Sequence, residues 1–449
     1  MKILVVGDVM LDEFARYAAS RISPEAPIPV GVFQSSSYYL GGAGNVANNL
    51  RSLGSEVLLT SLVGKDHAAE TLRVLCEENG VFFNFKNALK YTTHKKRLLV
   101  NGQQVLRIDR EDTHPKSDVD IKNLELENFD VLIISDYSKG AISVKVIDYL
   151  KSRFKGPILC DPKGNDWEKY RGLNVLTPNE KELKEVIGNW TTEKELITKT
   201  QSLLQLLEVK YILLTRSERG VLLIGETGMY KSTLKVKRVI DVSGAGDSVI
   251  AAFAHYLVDY GYENAAYLSN VAGSIAVTKY ATSAISSMEI RDYISMDPSL
   301  SDLHSIMVKN ELCNFKVVFT NGCFDFLHQG HIHVLKEAKK LGDKLVVGLN
   351  SDKSVTALKG PTRPLQNEQM RKNALLSTGL VDEVIIFDAE TPIDLITKIK
   401  PDILVKGGDY ITSNVVGADF ILKNGGEIII VPLLDGYSTS KIEYNIKKL

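Results

Sequence analysis

Short apolar, β-branched runs alternate with longer stretches of helical periodicity along most of the chain, which predicts a parallel sheet wrapped by helices. "KILVVGD", "EVLLTSLVG", "DVLIISDY", "PILCDP", "NVLTPN" and "YILLTR" each end on glycine or polar residues, and the carboxyl edge of such a sheet is where ligands gather. One segment breaks the pattern. "KKRLLVNGQQVLRIDRED" alternates without a following helix and predicts an antiparallel ribbon standing off the main sheet. Two helical stretches follow, "GDSVIAAFAHYLVDYG" and "AAYLSNVAGSIAVTKY". Periodicity then weakens across residues 287 to 315, and a domain boundary is expected near 290 to 314. Strand and helix resume in "KVVFTNG", "KLVVGLNSD", "EVIIFD", "DILVKGGD" and "EIIIVP", five strands of a smaller α/β unit. The layout expected is 1–300, a linker 301–314, and 315–449.

Composition narrows the class. At 449 residues the chain exceeds what one hydrophobic core organises. Its 44% hydrophobic and 24% charged residues are ordinary globular usage, so long disorder is not expected. The net charge of -1 supplies no basic field, so neither nucleic acid nor a membrane surface is an expected partner, and any phosphate binding must be local. Cys76, Cys160, Cys313 and Cys323 form no CxxC pair, which points to reduced thiols. The opening "MKILVVGDVML" turns acidic at Asp8 and Asp12 and reads as a first strand, not a signal peptide; a soluble, cytoplasmic protein is expected.

Two places carry chemistry. In "DVSGAGDSVIAAF", residues 241–253, glycines at 244 and 246 let backbone N–H groups converge where an apolar helix begins, an anion hole completed by the helix dipole. Asp247 stands at its mouth. It is placed to take a proton from a hydroxyl attacking a phosphoryl group, or else it simply caps the helix. In "GGAGNVANNLRSLG", Gly42, Gly44 and Ala47 match a dinucleotide fingerprint, but the preceding "QSSSYYL" is a poor buried strand and no acidic partner follows. No P-loop motif occurs. In the second half, "FTNGCFDFLHQGHIHVL" sets His328, Gly330 and His331 near a helix start, where imidazoles can donate to a polyphosphate. A zinc site using His328, His331 and His333 is the rival, and it lacks HExxH spacing.

The first half resembles the ribokinase-like, PfkB-type sugar kinases through "GGAGNVANN", "TPNEKEL", "TRSERG" and "DVSGAGDS", in that order. The resemblance implies Asp247 as general base and the Gly244, Ala245 and Gly246 amides as anion hole. It places Asn179, Glu180, Lys181 and Glu182, with Thr215, Arg216 and Gly220, around Mg·ATP. Asp12, Gly41, Gly42 and Asn45 would hold the sugar beneath a lid formed by the off-sheet ribbon. "SRISPEAPIPV" and "DPKGNDWEKYRG" look like the heptose 7-phosphate kinase branch, and add Lys163 as a sugar-phosphate contact. From the residues alone, the first of these is an extended segment interrupted by Pro24, Pro27 and Pro29, and Lys163 is equally an exposed, solvated lysine.

Residues 315–449 resemble the HxGH nucleotidyltransferases, with "NSD", "LKGPTRP", "VKGGDY" and "DGYSTSKI" in family order. The resemblance implies His328 and His331 as catalytic residues. Thr320, Asn321, Gly322, Phe324, Asp325, Lys359, Ser438, Thr439 and Ser440 would contact ATP. Leu434, Asp435 and Gly436 stand where many relatives carry a basic residue, so no arginine contact is carried over. The fold implied is a ribokinase-like three-layer α/β/α domain with a β-ribbon lid, followed by a Rossmann-like nucleotidyltransferase α/β domain. The activities implied are heptose 7-phosphate kinase and heptose 1-phosphate adenylyltransferase, with ATP, heptose phosphates and Mg2+ as ligands and no residue assigned to the metal. A homodimer through the kinase domain is expected, since an exposed antiparallel edge invites pairing. Another sugar phosphate, CTP in place of ATP, a catalytically silent nucleotide sensor and a scaffold remain open.

Overall fold

Buried strands at both ends of the chain build separate parallel sheets, and the molecule divides into two units, Met1–Tyr293 and Ile294–Leu449. The computed structural model describes every residue except Thr113, Lys116, 235–237, Ala281, 297–307, 309–311, 313–314, 409–414 and 433–449. The expected linker at 301–314 therefore lies almost wholly outside the described residues, as do Ser438, Thr439 and Ser440.

In the first unit nine strands run, edge to edge, Met229–Ser232, Val221–Gly225, Tyr211–Thr215, Val175–Leu176, Ile158–Asp161, Val131–Ser135, Lys2–Gly7, Glu56–Val63 and Phe82–Asn87. All six expected strands are present and pair in parallel; only the two strands after Thr215 turn antiparallel. Ile3 to Val6 and Val131 to Ile134 are fully buried, because helices cover both faces of a parallel sheet. Helix Ala245–Ala276 is interrupted at Gly261, whose φ of 75° glycine alone adopts without strain, so the two expected helical stretches are two arms of one element.

The off-sheet ribbon is larger than expected. His94–Val100 and Gln103–Arg110 pair antiparallel, but they extend a four-stranded sheet ordered Pro29–Gly42, Val9–Ile22, His94–Val100, Gln103–Arg110. The first half of Val9–Ile22 is buried without interruption and so shows no alternation to read. "QSSSYYL" is a strand here, as part of Pro29–Gly42, but an exposed lid strand. Pro24 and Pro27 lie in the turn between the two long strands, and Pro29 opens the second, positions where proline forfeits no ladder bond.

In the second unit all five expected strands pair in parallel, in the order Glu383–Phe387, Lys344–Asn350, Val317–Gly322, Ile403–Gly407, Glu427–Val431. Connectivity reverses direction at Val317–Gly322, and ligands bind beyond the carboxyl end of a strand at such a switch. No described helix is long and apolar enough to cross a membrane.

Candidate active sites

The first site lies at the carboxyl edge of the nine-stranded sheet. Gly244 precedes helix Ala245–Ala276 at φ 75°, and a Cβ there would fall 2.5 Å from Asn45 Nδ2. Bare backbone is thus required at the helix mouth. Gly246 has open space on its free side. Asp247 is buried, and its carboxylate is held at both oxygens: Oδ1 accepts from the Tyr137 hydroxyl at 2.7 Å and Oδ2 from Asn45 Nδ2 at 2.8 Å. It makes no capping bond to the helix, which sets the capping alternative aside. Burial pushes its pKa up to about 6, partly offset by those two donors.

Asp12 meets this cluster from the lid sheet. Its Oδ1 pairs with Arg97 Nη1 at 2.6 Å, and a Cβ on Gly41 would lie 2.4 Å from its Oδ2. Gly42, at φ 56°, passes equally close to the Asp8 carbonyl. Asn45 also takes Asn49 Nδ2 on its own Oδ1 at 3.1 Å, which fixes which side of the amide faces Asp247.

The expected nucleotide residues form a neighbouring group. Asn179 caps helix Glu180–Ile187 by accepting from the Lys181 and Glu182 amides, and Glu182 returns the bond to the Asn179 amide. Thr215 bridges to Asn179, and Gly220 turns at φ 73° beneath the Ser232 carbonyl. Glu180 and Arg216 are bonded to each other at 3.1 Å, and Arg216 also reaches Glu193 at 3.0 Å, so both side chains tie the turn to the helix. Lys163, expected with the sugar-holding residues, is instead on Glu182 at 2.8 Å. Between the groups sits Asp161, whose carboxyl is pushed well above its ordinary range by burial and then by the charges of Glu182 and Asp247.

Sequence reading missed Asp8, Asp136, Tyr137, Asp161 and Arg97, and Lys95, whose charge acts to lower the Asp247 pKa. Asp8 accepts the Tyr137, Lys139 and Ala141 amides, and Asp136 accepts Ser138 N, Lys169 Nζ and the Tyr170 hydroxyl; together they fix the loop that presents Tyr137. A signal was available, because Asp8, Asp136 and Asp161 each fall where an apolar strand ends.

The second site follows strand Val317–Gly322. His328 stands at the amino end of helix Gln329–Lys339, and its ring stacks on His331 at 3.9 Å between centroids. Burial lowers both imidazole pKa values, His331 to about 4 with help from the His328 and Lys359 charges. Phe324, at φ 43°, packs its ring 5.1 Å from His331. Lys406 donates to Asn321 Oδ1, and burial pulls its pKa down to about 8. Thr320 is buried in the strand, and Gly322 runs beside the Phe324 ring. Lys359 is exposed at the end of helix Asp352–Lys359.

Asp325, expected at the nucleotide, is turned into the fold. It pairs with Arg363 at 2.6 Å and accepts the Leu365 amide at 2.7 Å; burial alone would raise its pKa, and these partners hold it below the usual carboxylate range. Arg371, fully buried and also missed, donates to the carbonyls of Cys323, Asn350 and Gln366 and to Asp352, knotting together the loops around the histidines. Among the described residues no group of three or more His, Cys, Asp or Glu is arranged to hold a metal, so the zinc alternative for His328, His331 and His333 gains no ligand set.

A glycine-framed helix mouth with a buried carboxylate, and a second sheet with an imidazole pair at its switch point, define a sugar kinase joined to a nucleotidyltransferase. The model of the pfkB family carbohydrate kinases matches residues 1–290, and the cytidylyltransferase-like model matches 319–442. The chain belongs to the family of bifunctional HldE proteins. It is 40% identical to the bifunctional protein HldE of Haemophilus influenzae (strain PittEE), across 100% of this chain and 97% of that one. With the HldE of Citrifermentans bemidjiense it shares 41% identity over 98% of this chain and 95% of the other. Arabidopsis thaliana ribokinase, solved with ribose and ATP, superposes with a TM-score of 0.55 at 20% identity, covering 66% of this chain and 99% of its own, and shows the fold of the first unit.

Proposed function

We propose that the first unit transfers the γ-phosphoryl group of ATP to the anomeric hydroxyl of D-glycero-β-D-manno-heptose 7-phosphate. The second unit then joins AMP from ATP to D-glycero-β-D-manno-heptose 1-phosphate, releasing pyrophosphate and forming ADP-heptose for the lipopolysaccharide core. The observation that carries the kinase reading is Asp247, buried at the mouth of the glycine turn with a pKa near 6. As the anomeric oxygen forms its bond to the γ-phosphorus, its proton passes to Asp247 and ADP leaves. The Gly244, Ala245 and Gly246 amides meet the charge spread over the transferring oxygens.

Enzymes of these ATP-using classes need a divalent metal, and Mg2+ is the ion proposed. It favours one or two carboxylates plus phosphate oxygens. Asp161 and Glu182 would be the pair to hold it, and its charge would offset that of Glu182, which adds to burial in raising Asp161. Bound Mg2+ would neutralise phosphate charge. In the second unit a sugar-phosphate oxygen attacks the α-phosphorus directly, so His328 and His331 have only to align and steady phosphates.

Removal of the 7-phosphate falls to a separate phosphatase, so the intermediate leaves the protein between the two steps. Mass spectrometry of the products from heptose 7-phosphate and ATP tests the whole reading. The 1,7-bisphosphate accumulates when the protein acts alone, and ADP-heptose forms once a phosphatase is added. Absence of the bisphosphate would overturn the kinase assignment. A cytoplasmic location and a homodimer through the lid complete the proposal. Edge strand Gln103–Arg110 is exposed throughout and carries Val105, Leu106 and Ile108. Sedimentation should give twice the chain mass, and a monomer at micromolar concentration would remove the dimer.

A further inference from the structure

A carboxylate that is to accept a proton must be held still and yet left partly open. Asp247 is buried, and its two hydrogen bonds among the described residues come from distant parts of the chain, the Tyr137 hydroxyl on Oδ1 and Asn45 Nδ2 on Oδ2. An ionised carboxyl offers about four acceptor positions. One donor on each oxygen therefore fixes the plane of the group and leaves room on both for an incoming hydroxyl.

The two donors are aimed by different means. Asn45 is held between helices: Asn49 Nδ2 reaches its backbone carbonyl at 2.9 Å and its Oδ1 at 3.1 Å, and Asn49 in turn accepts from the Ser248 hydroxyl at 3.2 Å and the Ile285 amide at 3.1 Å. Tyr137 stands in a loop, and buried acids give that loop its shape. Asp8 accepts the amides of Tyr137, Lys139 and Ala141 at 2.8, 3.0 and 2.9 Å. Asp136 accepts the Ser138 amide at 2.7 Å while Lys169 and the Tyr170 hydroxyl hold its other oxygen. Between these anchors Ser138 is kept at φ 56°, a left-handed conformation that costs a serine free energy and persists only where its surroundings impose it.

We propose that Tyr137 is a positioning residue of the kinase, its hydroxyl setting the plane of the Asp247 carboxylate and its own aim set by the Asp8 clamp. The inference rests on the kinase reading of Asp247 given above. A donor on Oδ1 favours the charged carboxylate, so Tyr137 works with Asn45 and the Lys95 charge against burial and the Asp12 charge, which raise the Asp247 pKa. Asp161 is the remaining acid whose charge couples to Asp247. Tyr137 stays a donor throughout, because burial and the charges of Asp247, Asp161 and Asp12 hold its own pKa well above the ordinary phenol value.

The test is Tyr137→Phe in the intact chain, which deletes one oxygen and keeps the ring that the Lys95 ammonium approaches at 5.7 Å. The acid limb of kcat/KM for sugar phosphorylation, expected near pH 6 in the wild type, should move up by about one unit. Well above that limb kcat should still fall roughly 3- to 10-fold through lost aim, with the KM for ATP changed by less than about twofold. 3-Fluorotyrosine at position 137, a stronger donor of nearly the same size, should move the limb the other way. A purely structural role lowers the rate by one factor at every pH and leaves the limb in place in both variants, and that outcome would overturn the proposal. Difference infrared titration of the Asp247 carboxyl, identified by the band that Asp247→Asn loses, reads the same shift without any sugar. If heptose 7-phosphate is not phosphorylated but the carboxyl midpoint still rises in Tyr137→Phe, the Tyr137–Asp247 link stands and the kinase reading alone falls. An unmoved midpoint removes the proposal whatever the kinase assay shows.

Discussion

Replacing Asp247 with asparagine should lower sugar phosphorylation by about 10²- to 10⁴-fold, the usual contribution of a positioned general base. Adenylyl transfer by the same chain should be unchanged. Asparagine keeps the size of the side chain and leaves an oxygen for the Tyr137 hydroxyl, but its amide nitrogen then faces the Asn45 Nδ2 donor, so the melting temperature is compared alongside the rates. What disappears is the acceptor for the anomeric proton. The pH profile supplies a second signature. With burial holding the Asp247 pKa near 6, wild-type kcat/KM should fall as pH drops through that value, because the protonated carboxyl cannot accept the proton. The residual activity of Asp247→Asn should show no such limb. Coupled ADP release measures both, and a folded variant that loses adenylyl transfer as well would defeat the assignment.

Replacing His331 with alanine should do the reverse, lowering adenylyl transfer by about 10²- to 10³-fold while phosphorylation persists. Burial lowers the pKa of this imidazole to about 4 in the free protein, so on the proposed reading it would offer the nucleotide an N–H donor, and bound phosphate would then favour its charged form. The stack with His328 makes the pair a unit, so the His328 and His331 losses should not add when both are removed. Pyrophosphate release is the readout. A His331→Ala chain that still forms ADP-heptose at the wild-type rate would remove the imidazole pair from the reaction.

Elements that bury continuous β-branched runs were legible in the sequence, since "DVLIISDY" and "KLVVGLNSD" have few alternatives to a central parallel strand. The lid was half legible. "KKRLLVNGQQVLRIDRED" alternates over its exposed length, whereas Val9–Ile22 begins in the core and ends in solvent, so no single period describes it. At the first site the glycine turn, Asp247 and Asn45 could be found because they lie in compact motifs. Tyr137 could not, because it reaches Asp247 from 110 residues away through a loop that owes its shape to two other buried acids. Asp325 and Glu180 stand inside ligand motifs, but the arginine that each pairs with comes from a distant segment and could not be read from the motif.

The lid sheet is irregular at one level along its strands. Register slips between Arg16 and Tyr17 on one strand and between Leu98 and Leu99 on its neighbour, and the two irregularities sit side by side, because Arg16 lies opposite Leu99. Bulges bend and twist a sheet locally, so the pair forms a crease across the fabric. The proline-bearing turn lies beyond that crease, and Asp12 and Lys95 lie on its inner side, next to the core.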